Sequence, residues 1–131
     1  MTPNRRRRSA LTRVFAVATV AVCSVTLRAH HSNAMYDHQR TVTLRGVVTQ
    51  FRWTNPHVSM TITTDAQGGH DGESWIVEAT SPGNLSREGW TRTSVRVDDR
   101  VEVVAAPLRD GGHGGYCRSV TLMNTRAKLE C

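Results

Sequence analysis

The sequence lacks the motifs that mark common hydrolases, metalloproteases and thiol enzymes. It contains no Gly-x-Ser-x-Gly, no His-Glu-x-x-His and no Cys-x-x-Cys, the patterns that fix a nucleophile, a catalytic metal or a redox pair in place. The glycine-rich stretch 111–115 lacks the Lys-Ser/Thr pair of a phosphate-binding loop. Because no residue set points to nucleophilic or acid–base catalysis, we predict no catalytic residue and favour a binding protein over an enzyme.

The N-terminal region lacks acidic residues and any apolar run of membrane-spanning length. Residues 1–29 carry six of the 17 Lys and Arg residues and none of the 11 Asp and Glu residues. Five arginines precede the mainly apolar run 14–25, which is shorter than the about 20 residues that cross a bilayer. This pattern is typical of a secretory signal. It predicts cleavage after Ala29 and a periplasmic or secreted protein with no stable membrane anchor.

The rest of the chain lacks net charge. Residues 30–131 hold eleven Lys and Arg residues and eleven Asp and Glu residues, so the high pI belongs largely to the signal. Affinity for nucleic acid depends on neutralising phosphates. We therefore predict no nucleic-acid partner and expect a small ligand or another periplasmic protein instead.

Cysteine is also scarce after the signal. Only Cys117 and Cys131 remain, and an oxidising compartment permits a disulfide between them. A free or intermolecular thiol at Cys131, the last residue of the sequence, is the alternative that the pattern leaves open.

Strand patterns separated by turn residues fill residues 41–125, which we interpret as one β domain between an arm (30–40) and a C-terminal tail (126–131). Stretches rich in β-branched or alternating apolar residues predict five strands, at 41–53, 57–64, 73–80, 100–106 and 116–123. Gly46, in the middle of the first strand, predicts a bulge or sharp bend.

A short helix is predicted between the third and fourth strands. Ser81 suits the N-cap, Pro82 suits the first helical position, and Gly89 ends the helix. Three strands, a helix and two strands match the order of the OB fold, a mostly β, five-stranded Greek-key barrel. A small sandwich or an open sheet is the alternative.

Several short motifs occur in a fixed order along the chain. They are Ala29-His30-His31-Ser32 (AHHS), Trp53-Thr54-Asn55-Pro56-His57 (WTNPH), Ser81-Pro82 (SP) and Gly89-Trp90-Thr91 (GWT), with Trp75 and Glu78 between the second and third. In these motifs the chain resembles a family of small exported bacterial proteins of unknown function. It departs from that family at Asp98-Asp99, where the family has Gly-Asp before strand four. The resemblance implies a compartment and a domain extent, but no activity.

Histidines at the predicted mature N-terminus are candidate metal ligands. Cleavage after Ala29 leaves His30 first, so that its α-amine and imidazole can chelate one metal ion, an arrangement called a histidine brace. The brace needs a further imidazole, from His31, His38 or His57. The alternative is that this stretch is only a polar mature N-terminus.

The second and third strands predict another part of the same site. If Met60 lies opposite Val77, the apolar residues share one face, and His57 and Glu78 become diagonal neighbours on the other face. Histidine is a ligand that suits copper, zinc, nickel and iron. We therefore predict a copper or zinc site formed by His30, His31, His57 and Glu78. Two alternatives remain: Glu78 only orients the imidazole, or His57 only caps the turn.

A ligand cleft is the second predicted site. It lies beside the first turn and is formed by Trp53, Asn55, Trp90 and Arg92, whereas the alternative places the tryptophans in the core. These sites predict an exported binding or accessory protein. The alternatives are a copper-dependent redox enzyme that uses a brace at His30 and, less favoured, an oligonucleotide-binding OB domain.

Overall fold

The computed structural model describes residues 33–66 and 72–131. Within them, the elements are β1 (Val42–Arg52), β2 (Ser59–Thr64), β3 (Ser74–Glu78), α1 (Pro82–Arg87), β4 (Arg100–Pro107), β5 (Gly114–Leu122) and β6 (Lys128–Glu130). The predicted order of three strands, a helix and two strands is confirmed. The predicted signal peptide lies outside the described residues, and no helix within them is long and apolar enough to cross a membrane.

The first five strands close into a barrel. Antiparallel pairs join β1 to β2 and to β4, β2 to β3, and β4 to β5. A short parallel pair between β3 and β5 completes the ring. The mostly β, OB-like Greek-key barrel is therefore confirmed over the open sheet or sandwich.

The long strand β1 serves both halves of the barrel. Residues 42–47 pair with β4, and residues 46–52 pair with β2. The bulge that we predicted at Gly46 lies instead at Thr49. Gly46 has a different role, because a Cβ there would lie 2.1 Å from the carbonyl oxygen of Thr63. The absence of a side chain at Gly46 thus lets β1 pass close to β2. At this residue β1 pairs with both β2 and β4.

Alternate side chains of the strands fill the barrel. Met60, Ile62 and Val77 point inwards and are almost fully buried, as the period-two pattern requires. Leu85 of α1 and Trp90 after it complete the core. Trp90 is only 2% exposed. It therefore lies in the core, which was the alternative to the predicted ligand cleft.

The ends of α1 follow the predicted signals. The hydroxyl of Ser81 accepts a hydrogen bond from the backbone N–H of Asn84, and Pro82 opens the helix. Gly89 then takes a φ of 87°, which glycine adopts at little cost. At the departure from the family pattern, Asp98 also has a positive φ, 73°, so this turn keeps a conformation that favours glycine.

The segment 126–131, which we predicted as a tail, is fixed to the barrel and contains β6. It pairs with the second half of β5, next to the part of β5 that β3 covers. Cys131 forms a disulfide with Cys117, and the indole Nε1 of Trp90 donates to the carbonyl of Glu130 at 2.6 Å. These two side-chain links act together with the β5–β6 pairing to hold the tail in place.

Candidate functional site

His57 and Glu78 lie together on the outer face of the barrel. The predicted register is confirmed, because Met60 pairs with Val77 and Ser59 pairs with Glu78. The distance from His57 Nδ1 to Glu78 Oε2 is 3.5 Å, and the two side chains are 31% and 36% exposed. This distance is too long for a strong hydrogen bond. Both groups therefore keep the capacity to bind a ligand.

An aromatic cluster adjoins this pair, and sequence reasoning missed it. The ring centroids of Tyr36 and Tyr116 are 5.5 Å apart, and that of His38 is 6.5 Å from the first and 5.9 Å from the second. Tyr116 also pairs with Glu78 across the parallel β3–β5 contact. The chain has only two tyrosines. The presence of one of them, Tyr36, in the otherwise polar arm was the only feature of the sequence that could have indicated this cluster.

Tyr36 connects the aromatic cluster to Glu78. Its side chain is buried. Burial is the main cause that raises the pKa of Tyr36 far above its usual value, and the charge and hydrogen bonding of Glu78 raise it further. Tyr36 thus stays a neutral phenol that can donate to the carboxylate.

The described part of the arm, 33–40, is attached to the barrel by backbone contacts. The N–H of Asp37 donates to the carbonyl of Pro107, and the N–H of Arg109 donates to that of Met35. The guanidinium of Arg118 donates to the His38 carbonyl at 2.6 Å. The sequence showed no periodicity here because the arm forms only an isolated bridge to the barrel.

The residues predicted to form a ligand cleft are only partly brought together. Arg92 Nη1 donates to the carbonyl of Trp53 at 3.2 Å, so these two lie side by side. Asn55 is exposed in the turn between β1 and β2. Trp53 packs against Phe51, with ring centroids 6.2 Å apart, while Trp90 lies inside the core. The first turn therefore presents Trp53, Asn55 and Arg92.

A third group lies at the opposite end of β3. The imidazole of His113 stacks on the indole of Trp75, with centroids 5.3 Å apart and planes inclined by 16°. Glu73 Oε2 lies 3.4 Å from both Trp75 Nε1 and His113 Nε2. Nothing local in the sequence links His113 to β3, so the sequence did not predict this group.

The predicted metal ligands are only partly described. His30 and His31 lie outside the described residues. Across residues 33–66 and 72–131, no three His, Cys, Asp or Glu side chains are grouped so that they could hold a metal ion. The copper or zinc site stays a prediction, with His57 and Glu78 as its described pair.

Comparison with known proteins gives a family and a fold. The family of unknown function DUF6152 matches residues 16–118, and no curated protein matches the chain. A crystal structure of the mitochondrial single-stranded DNA-binding protein Rim1 from S. cerevisiae (Form2) is similar, with a TM-score of 0.50 and 10% identity over 64% of this chain and 93% of that one. Form1 of Rim1 gives a TM-score of 0.48 at 13% identity over 64% and 95%. At such identities, the likeness establishes the OB-like fold alone.

The prediction that nucleic acid is excluded as a partner is wrong, because a structural neighbour of this chain is a single-stranded DNA-binding protein. The net charge of residues 30–131 was too coarse a criterion. Glu102 and Asp65 neutralise Arg45 and Arg100. In the part of the chain that the structure describes, Arg92, at the first turn, has no carboxylate in ion-pair contact. A segment with no net charge can thus still present local positive charge.

Proposed function

Since this chain belongs to the DUF6152 family of unknown function, its role has to be argued from its own residues, and we propose that it is an exported protein that binds a transition-metal ion. The carrying observation is the pair formed by His57 and Glu78, 3.5 Å apart and partly exposed on the outer face. Imidazole and carboxylate are both ligands that zinc accepts, and imidazole also suits copper.

His57 and Glu78 are placed so that the imidazole can bind the metal while the carboxylate orients the ring. With His57 Nδ1 turned towards Glu78, Nε2 is the ring nitrogen left for a metal. A carboxylate behind a ligating imidazole fixes the ring and raises its basicity. Tyr36, pressed against Glu78, restricts that carboxylate in turn. The geometry therefore favours His57 as a ligand, with Glu78 either beside it on the metal or behind it.

The proposal needs further ligands from the N-terminus. A metal site takes three or four protein ligands, and the proposed mature chain begins with His30 and His31. The α-amine of His30 can add a nitrogen to these imidazoles.

The disulfide supports export. Cys117 and Cys131 are bonded to each other, and such bonds persist in oxidising compartments but are rare in the cytosol. Together with the arginine-rich start and the short apolar run, this favours a periplasmic or secreted protein. N-terminal sequencing of the protein from culture tests both cleavage and the start at His30. A start at another residue would remove the brace.

The metal proposal predicts that His57→Ala weakens Cu(II) or Zn(II) binding by at least tenfold, the lower end of what losing such a group costs. Isothermal titration of the processed protein, starting at His30, measures the affinity. His113→Ala is the matched control, because His113 is also a partly exposed histidine 3.4 Å from a glutamate, and it should bind the metal as wild type does.

Two outcomes contradict the metal proposal. In the first, the wild-type protein binds both metals more weakly than micromolar. In the second, His57→Ala and His113→Ala lose the same amount of metal affinity. The same samples separate the copper-dependent redox enzyme from the binding protein. Oxygen consumption in the presence of ascorbate, dependent on His30 being the first residue, would favour the enzyme.

Single-stranded nucleic-acid binding is the second candidate function. It is favoured by the likeness to Rim1 and by Arg92, whose guanidinium donates to the backbone carbonyl of Trp53. Arg52, at the end of β1, is also exposed. Single-strand binding proteins combine positive side chains, which neutralise phosphates, with aromatic side chains on which bases stack.

This candidate predicts that Arg52→Ala/Arg92→Ala weakens binding to a fluorescent single-stranded oligonucleotide by about tenfold and lowers the salt slope by about 1.4, since each single-strand phosphate contact contributes about 0.7. Fluorescence anisotropy at several salt concentrations measures both quantities. Arg45→Ala/Arg100→Ala changes the net charge equally but removes ion-paired arginines, and it should bind as wild type does. Equal losses in the two double variants would rule out a local site.

A further inference from the structure

The group at the start of β3 is separate from the His57–Glu78 pair. Trp75 lies opposite Ile62 and packs against the core cluster at the end of the barrel. Glu78 lies three positions further along, about 10 Å at the rise of a strand, and it faces outwards. A ligand on Trp75 therefore contacts a different surface from a metal at His57.

A planar ring, the imidazole of His113, already stacks on the indole of Trp75. The imidazole of His113 lies nearly parallel to it, inclined by 16° with centroids 5.3 Å apart. Flat aromatic surfaces attract one another in such stacked arrangements. Because the core supports Trp75 while His113 is 48% exposed, the imidazole is the removable member of the stack.

Glu73 adds a polar anchor at the edge of the stack. Its Oε2 lies 3.4 Å from His113 Nε2 and accepts from Trp75 Nε1 at 3.4 Å. Both distances are long for hydrogen bonds, so the carboxylate holds the imidazole only weakly. A ring that places an N–H closer to Glu73 replaces this contact with a better one.

The imidazole can leave without disturbing the barrel. The backbone of His113 is fixed, because its carbonyl accepts a hydrogen bond from Ile76. Its side chain is bordered by Gly112 and Gly114, which offer no side chain to block a change of rotamer. A change of the His113 rotamer therefore moves the imidazole off the indole of Trp75.

We propose that Trp75 is a stacking platform for a planar nitrogen heterocycle that carries an N–H donor, the class that includes nucleobases, and that His113 covers this platform in the free protein. The imidazole shows which chemistry fits, since it is itself a flat nitrogen ring with one nitrogen near Glu73. The incoming ring takes its place on the indole and donates to the carboxylate. This site is independent of the proposed metal site.

Adenosine tests the proposal, because its flat base carries an amino donor. The protein is studied in metal-free buffer, and the indole N–H signal of Trp75 is followed by NMR after assignment with Trp75→Phe. His113→Ala should bind adenosine about tenfold more tightly than wild type, because a cover present nine-tenths of the time lowers apparent affinity by that factor. His38→Ala is the matched control, an exposed histidine that contacts tyrosines instead, and it should leave the affinity unchanged.

Two further variants test the named contacts in the His113→Ala background. Trp75→Leu should abolish binding while the thermal unfolding transition stays cooperative, and Glu73→Gln should remove most of the gain. Benzyl alcohol, a ring without an N–H, should bind more weakly than adenosine. Tighter binding of a single-stranded dA oligonucleotide would identify a strand as the source of the ring, and equal affinity would identify a free ligand.

The proposal is overturned by any of three results. In the first, His113→Ala binds adenosine no more tightly than wild type does. In the second, adenosine binds but the NMR signal of Trp75 does not move. In the third, no variant shows saturable binding. None of these measurements involves a metal, so they leave the proposed function untouched.

Discussion

Replacing Trp90 with alanine is expected to lower the free energy of unfolding by about 3–5 kcal/mol, the cost of truncating a buried aromatic side chain. Its side chain is 2% exposed and belongs to the core cluster. The substitution also removes the hydrogen bond from the indole to the carbonyl of Glu130, so β6 loses a link to the barrel. Chemical denaturation followed by circular dichroism measures the effect.

Two comparisons separate the volume of Trp90 from its hydrogen bond. Trp90→Phe keeps much of the buried area but loses the indole donor. Its loss of stability should therefore be smaller than that of Trp90→Ala, and about 1 kcal/mol of it is expected from the hydrogen bond to Glu130. Trp53→Ala is the control, since Trp53 packs only partly buried at the rim of the core. If Trp53→Ala destabilises the protein as much as Trp90→Ala does, burial is not what makes Trp90 important.

Breaking the disulfide is expected to cost about 3 kcal/mol, the value for a closed loop of about 15 residues, and here the sequence separation is 14. Cys131→Ser is the cleaner substitution, because Cys117 is buried in the core and its replacement would also disturb packing. The loss should appear in denaturant unfolding of the processed protein. Hydrogen exchange should also quicken at the N–H of residue 131, which donates to the carbonyl of Arg118.

Reduction of the wild-type protein provides the control for this variant. Reduced wild type and Cys131→Ser should unfold at the same denaturant concentration, because both lack the same constraint. If reduction leaves the unfolding midpoint unchanged, the disulfide contributes nothing, and the support it gives to export weakens accordingly.

The register of β2 and β3 was predictable because a single physical condition fixes it. A shift of one residue would turn every apolar side chain of a strand to the other face. The pairing of Met60 with Val77 buries both apolar sets, and it brings His57 next to Glu78 as a consequence. The helix ends were predictable for the same local reason, since Ser81 and Gly89 act on the backbone beside them.

The remaining parts of the candidate sites depend on contacts between distant segments. Tyr36 meets Tyr116, and Trp75 meets His113, but neither contact leaves a periodic pattern in the sequence. The closing pair of β3 and β5 is parallel, so no turn signal announces it. The position of the bulge, at Thr49 and not at Gly46, likewise depends on where β2 and the segment after α1 contact β1.

The sequence by itself determined the five barrel strands, the helix, their order and the hairpin that carries His57 and Glu78, because periodicity and turn residues act over short distances. Only the tertiary structure decided that Trp90 fills the core, that the tail forms β6, and that the arm brings Tyr36 to Glu78. Those outcomes follow from burial and hydrogen bonding between residues tens of positions apart. A polar arm and a short tail carry no pattern of their own, and the surface that they contact exists only once the barrel has closed.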